Sequence, residues 1–239
     1  MPSLILAIDT AFERCTAALY DPEGAGRLLA ATEPDIGKGH AERLMGVVDE
    51  VLSEAGKFYG DLARIGVTVG PGSFTGVRVG VAAARGLALA LDIPAVGIGT
   101  LPALAASAQA TGPDRRSPVL AVIDARRGEV YAAHYSPTGA VLREPAALAP
   151  EALPEFLGNR AACSGLGLIG SGAKLAAEAI PDVATKIVSE ANRIDPLVLA
   201  RLAGSADPDT PPKPLYLRGA DAKPSTAKSL RAPVTEIIP

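Results

Sequence analysis

LILAIDTAFERCTAALY, residues 4–20, returns in plan as VLAVIDARRGEVYAAHY, residues 119–135. In the first stretch Ile8-Asp9 precedes Ala17-Ala18 and Tyr20; in the second Ile123-Asp124 precedes Ala132-Ala133 and Tyr135. The Ala pair starts eight residues after the Asp, and the Tyr follows it by eleven, in both copies. Each copy opens on a short apolar run suited to a buried strand, and a second apolar run after the turn reads as its hairpin neighbour. Recurrence of a strand, turn and strand plan predicts two lobes of one α/β design.

Outward from the first copy, a polar connector leads to Leu44, Val47, Val48, Val51 and Leu52, whose three- and four-residue steps predict a helix with one apolar stripe. Ile65 to Val69 reads as a strand, and GPGSFTG, residues 70–76, punctuates it before a small-residue helix over Val77 to Leu91. Ile93 to Ile98 reads as another strand, with Thr100 able to cap the helix after it. ATGPDRRSP, residues 110–118, is dense in helix breakers and predicts the lobe boundary. The first lobe is thereby assigned to 1–110 and the second to 118–203.

In the second lobe a polar, Ala-rich segment leads to the Gly-rich strand at 165–170 and a helix through Ala176 and Ala179. Asp195-Pro196 reads as a helix start, with Asp as cap and Pro in the first turn, so 195–203 is a short apolar helix that could pack back on the first lobe. Residues 204–239 are expected to hold a Pro-rich linker, an extended PLYLR segment and a loosely ordered tail.

Two readings fit Asp9 and Asp124. Carboxylates at strand ends in two facing lobes could hold magnesium or position water beside a bound phosphate; equally, each could only cap its own turn. GPGSFTG lacks the Lys of a phosphate-binding P-loop, so it either offers backbone N–H groups to an anion or serves close packing alone. Gly76, Gly80, Ala84 and Ala88 recur every fourth residue, a smooth stripe open to a second chain or to burial within this one. His40 and His134 are the only imidazoles and fall in different lobes, which removes paired-His metal sites; His40 reads as an exposed helix-start residue. Ser73 and Ser171 show no His and acid relay.

The chain has 239 residues, 4% aromatic, and a net charge of -3, so Ala, Leu, Val and Ile must build the core. A weakly acidic chain is not built to hold nucleic acid by phosphate contacts alone. Cys15 and Cys163 are isolated, Asp9 interrupts the N-terminal apolar run, and no uncharged apolar stretch suits a bilayer span. A cytoplasmic protein without membrane partners is expected.

ILAIDTAFERCTAAL, residues 5–19, VGPGSFTGVRVGVAAARGLALALDIPAVGIGTL, residues 69–101, VLAVIDARRGEVYAAHY and PLYLRG, residues 214–219, together resemble the TsaB family, also called YeaZ. The resemblance implies a two-lobed actin-like, heat-shock-70-like ATPase fold with duplicated lobes. It also implies an accessory role in forming N6-threonylcarbamoyladenosine in tRNA. The paralogous TsaD would transfer the threonylcarbamoyl group to adenosine 37, with TsaE in a larger complex and tRNA reached through the assembly. Where TsaD-like proteins carry a His-rich metal helix, this sequence reads GIGTLPAL, residues 97–104, with no His, Asp or Glu.

The resemblance further implies a TsaD-binding face at Leu44, Val47, Val48 and Val51 with the stripe Gly76, Gly80, Ala84 and Ala88; a homodimer could use that face when TsaD is absent. Asp9, Thr10 and Asp124 match superfamily phosphate positions and would form a weak or vestigial site for ATP or ADP with magnesium. Ala11 stands where active members commonly carry Gly. The dispersed Lys213, Arg218, Lys223, Lys228 and Arg231 could meet tRNA in the assembly.

Overall fold

The computed structural model describes residues 3–23, 25–111, 117–158 and 165–218. Strand β1 (Leu4–Asp9) is the centre of a first five-stranded sheet. Beside it β2 (Thr16–Asp21) runs antiparallel, pairing Ile5 with Tyr20 and Asp9 with Thr16, and β3 (Arg27–Thr32) lies antiparallel outside β2. Helix α1 (His40–Glu54) then leads to β4 (Leu62–Gly70), parallel to β1. The crossover α2 (Phe74–Leu91) brings in β5 (Ala95–Gly99), parallel to β4. A parallel neighbour needs such a crossover, and the small-residue helix supplies it.

Helix α3 (Thr100–Thr111) carries the chain toward the second sheet. There β6 (Val119–Arg126), β7 (Glu129–Tyr135) and β8 (Val141–Leu148) form an antiparallel meander. A short 3-10 turn, Pro150–Ala152, and α4 (Leu153–Leu157) lead on to β9 (Leu166–Ile169), α5 (Ala173–Ala179) and β10 (Thr185–Ser189). Both β9 and β10 join parallel, and α6 (Pro196–Ser205) follows. The sheet orders are β3-β2-β1-β4-β5 and β10-β9-β6-β7-β8, so each sheet counted from its own first strand has one and the same order.

Alternation along the strands explains the layers. Ile8 pairs with Val67 and Leu6 with Ile65, and Val67 faces Gly80 of α2, so this side of the first sheet is covered by α1 and α2. On the other side Ala7 pairs with Gly66, and α6 lies so close that a Cβ on Gly66 would overlap the Ala203 methyl. Asp195 starts α6 by accepting the Val198 N–H at 3.0 Å. Burial of Leu199 on this face contributes about 2 kcal/mol.

In the second sheet Val119, Ala121 and Ile123 join the main core, while Leu120 and Val122 turn to a smaller core with Leu153, Leu157, Ala173 and Ala176. The main core therefore runs from one sheet to the other. At its centre α3 packs on α6, and the Asp195 N–H donates to Ser107 Oγ at 2.9 Å.

After α6 the chain returns along the first sheet. Arg64 Nη1 donates to the carbonyls of Ala203, Gly204 and Ala206 at 3.0, 2.7 and 3.1 Å, capping the helix end. Leu215 N–H donates to Val69 O at 2.7 Å, and Tyr216 reaches Arg78 at the start of α2, its hydroxyl 2.8 Å from Nε.

Candidate functional site

The turn after β1 is wedged onto the start of α2. Thr10 is fully buried and its hydroxyl donates to Gly76 O at 2.8 Å; a Cβ on Gly76 or Gly80 would overlap Thr10. Ser73 N–H donates to Ala11 O at 2.7 Å, and Ser73 Oγ caps the helix by accepting Gly76 N–H at 3.2 Å. GPGSFTG therefore closes packing between hairpin and helix, the steric reading of its glycines. Thr100 does not cap α3 through its side chain; its hydroxyl donates to Pro71 O at 2.5 Å.

Asp9 is buried, and its Oδ1 accepts the Thr68 hydroxyl at 2.6 Å and the Ala11 N–H at 2.9 Å. Burial raises its pKa above the ordinary 3.8, against the pull of those two hydrogen bonds and of His40. Sequence reasoning missed Thr68; its signal is a lone hydroxyl in the apolar run from Ile65 to Val69.

Between the lobes lies a cleft of about 580 Å³. Asp124 lines it, but neither Asp9 nor Thr10 does. Asp124 Oδ1 accepts Arg126 N–H at 2.8 Å, and its Oδ2 pairs with the Arg126 guanidinium at 3.2 Å. The cleft's cations are engaged by acceptors of the chain itself: Arg126 by Asp124, Arg193 by Glu33 and Arg14 by Glu33 O. Glu13, Asp35, Asp124 and Glu190 also line it. The three residues predicted for a phosphate site are thus not brought together. Asp9 Oδ1 and the Thr10 hydroxyl are engaged in packing, and Asp124 pairs with the exposed Arg126 of its own turn. Among the described residues no group of three His, Cys, Asp or Glu could hold a metal ion.

The predicted partner face also needs correction. Leu44, Val47, Val48 and Val51 are buried against the first sheet, and Gly76, Gly80, Ala84 and Ala88 are buried on the inner side of α2. The stripe is smooth because β1, β4 and Thr10 approach it, so the chain's own sheet occupies it. The helix pair instead shows solvent Met45 and Gly46 on α1 and Ala82, Arg85, Gly86, Leu89 and Ala90 on α2. Met45 is 40% exposed and Leu89 85%. By length and composition α2 could cross a membrane; its inner side is nevertheless packed on this sheet.

His40, expected at the surface, is buried with Nε2 3.2 Å from Arg14 O, because it opens α1 beneath the Arg14 backbone. His134 is buried on β7, and its Nε2 has no hydrogen-bond partner. Arg218 pairs with Glu129. Lys223, Lys228, Arg231, Cys163 and residues 112–116 of the expected boundary lie outside the described residues.

Two mixed α/β lobes facing a cleft are an arrangement consistent with the actin-like superfamily. A family model described as "TsaD: tRNA N6-adenosine threonylcarbamoyltransferase" matches residues 34–191. The tRNA threonylcarbamoyladenosine biosynthesis protein TsaB of Escherichia coli is 42% identical over 131 residues, which cover 55% of this chain and 54% of that protein. The match thus spans about half the length of that relative. An uncharacterized protein of Mycobacterium tuberculosis is 32% identical over 235 residues, covering 93% of this chain and 95% of its own. Among solved structures, YeaZ from Pseudomonas aeruginosa superposes with a TM-score of 0.72 at 30% identity, over 90% of this chain and 100% of that one. The chain belongs to the family that model describes and, within it, to the TsaB, or YeaZ, group.

Proposed function

We propose that this chain is an accessory subunit in forming N6-threonylcarbamoyladenosine in tRNA, and that it supports a TsaD-type transferase by seating it on the outer side of α1 and α2. The observation that carries this reading is the two-sidedness of α2. Its inner side is filled by its own sheet, while its outer side leaves Leu89 85% exposed among Ala82, Gly86 and Ala90. Small side chains let a second helix approach closely, and an exposed Leu in such a setting marks a contact surface.

Charge supports a helical partner with both signs. The described α2 carries Arg78 and Arg85 and no acid, whereas α1 carries Glu42, Asp49, Glu50 and Glu54. Transfer chemistry belongs to the partner in this reading, since Asp124 is paired with Arg126 and Asp9 Oδ1 is held by Thr68 and Ala11. TsaE and tRNA join through the assembled complex, in the cytoplasm, and self-association through the same outer side is the outcome when TsaD is absent. ATP or ADP with magnesium would then be held by the assembly's other members.

Reconstitution tests the proposal. A TsaD-type protein, its tRNA substrate and the threonylcarbamoyl donor should form modified tRNA at a far higher rate with this chain than without it. Equal rates with and without, together with no binding to the TsaD-type protein by calorimetry, would sink it.

A further inference from the structure

We propose that the interlobe cleft is held at a set width by two ion-pair clasps, Arg193 to Glu33 and Arg218 to Glu129, which make residues 206–218 a strap whose release lets the lobes part.

Glu33 follows β3 in the first lobe, and Arg193 stands between β10 and α6 in the second. Arg193 Nε donates to Glu33 Oε2 at 2.8 Å and its Nη2 to Oε1 at 2.5 Å, a two-pronged grip on one carboxylate. Glu33 is itself anchored, because its carbonyl accepts Arg14 Nη1 at 2.8 Å and the next residue's carbonyl, Pro34 O, accepts Cys15 N–H at 3.0 Å. This clasp is therefore fixed at its Glu33 end.

The second clasp is built on the returning chain. The strap is fastened to the first lobe through Arg64, through Leu215 on Val69, and through Tyr216, whose ring centroid lies 5.7 Å from that of Phe74. Its last described residue, Arg218, then pairs with Glu129 at the start of β7, in the other lobe. Arg193 lines the cleft, as does Arg126, whose carbonyl lies 3.5 Å from Arg218 Nη2.

Apart from these pairs the lobes are joined where α3 and α6 pack together in a core shared by both sheets, and close packing of that kind resists parting. The two charge pairs are partly exposed, hence individually weak and screened by salt. A stiff apolar junction with electrostatic fasteners beside it is a hinge whose opening can be set from outside. The exposed Phe74, Arg78 and Tyr216 cluster, where the strap meets α2, is the point at which an incoming molecule could pull one clasp free.

The test is a distance measured between spin labels at Lys38→Cys and Lys186→Cys, one in each lobe, in the full chain with Cys15 and Cys163 changed to Ala. Glu33→Gln and Arg218→Gln should each lengthen or broaden the distribution, and the two together should raise the open population by up to roughly tenfold. Exchanging the first pair, Glu33→Arg with Arg193→Glu, should restore the narrow distribution. Raising salt to about 1 M should open the labelled parent protein in the same direction, which keeps a readout if a variant does not fold. Superimposable distributions for the parent and the double variant, unmoved by salt, would overturn the proposal.

Discussion

The hydroxyl of Thr10 and the carbonyl of Gly76 meet at 2.8 Å in a fully buried contact that fixes α2 against the end of β1. Gly80, one turn on, leaves room for the same Thr10 side chain. Gly80→Ala is expected to cost about 1–3 kcal/mol through overlap with Thr10 Oγ1. Urea denaturation should show Gly80→Ala far less harmful once Thr10 is also Ala, a coupling of the pair rather than a sum. Additive costs would mean the overlap is relieved elsewhere.

Asp9 gives a pH prediction. Its folded pKa lies above 3.8 because burial penalises the charged form. Between 3.8 and that raised value the folded protein holds more protons than the unfolded one, so stability falls as pH rises through the window and stays reduced above it. Asp9→Asn keeps an oxygen for Thr68 and Ala11 and has no charge to bury. Thermal melts should show it more stable than the parent at pH 7, with the acid-side slope flattened. A less stable Asn variant at pH 7 would show that the ionised carboxylate stabilises the fold.

His134 behaves in the opposite sense. Burial, followed by the nearby Arg143, lowers its pKa from the ordinary 6.5. The unfolded chain therefore takes up a proton first as pH falls below 6.5, and stability drops from there down to the folded value. His134→Leu should remove that loss while leaving stability at pH 8 little changed. An identical pH profile for variant and parent would place the acid sensitivity on other groups.

The outer side of α2 should separate binding from folding. No atom lies within 4 Å of a Cβ built on Gly86, so Gly86→Arg should melt close to the parent protein. Leu89→Asp removes about 2 kcal/mol of apolar contact if a partner helix covers that residue, near thirtyfold in Kd. Calorimetry against a TsaD-type protein checks both; unchanged affinity in the folded double variant would move the partner surface elsewhere.

Much of the first lobe was legible because its centre is covered on both faces. Strands β1, β2 and β4 read as apolar runs, and α1 shows its stripe. Edge strands were not legible. β3 sits within what reads as a connector because its outer positions are half-exposed, and β8 is exposed over Val141 to Glu144 and contains Pro145, which marks an edge and blunts the strand signal. β10 is short, and Thr185, Lys186 and Ser189 are three of its five residues.

The site was misread for a related reason. A stripe of Gly and Ala states that something approaches closely but not what, and here the approaching group is Thr10 of the same chain. Asp9 and Asp124 hold equivalent places in sequence, yet one is buried beside Thr68 and the other lines the cleft. Only the three-dimensional neighbours distinguish them.

That α6, made after the whole second lobe, covers one face of the first sheet bears on how the protein is born. Ile5, Ala7 and Gly66 leave the ribosome long before Leu199, Ala200 and Ala203 exist to cover them. The first lobe is begun first and finished last, and in the interval it offers an uncovered apolar sheet to chaperones or to other nascent chains. A chain ending at Ser189 should keep its strands yet bind a hydrophobic dye and be cut by protease within the first lobe, whereas one ending at Arg218 should resist; equal resistance would show that the sheet matures without its last helix.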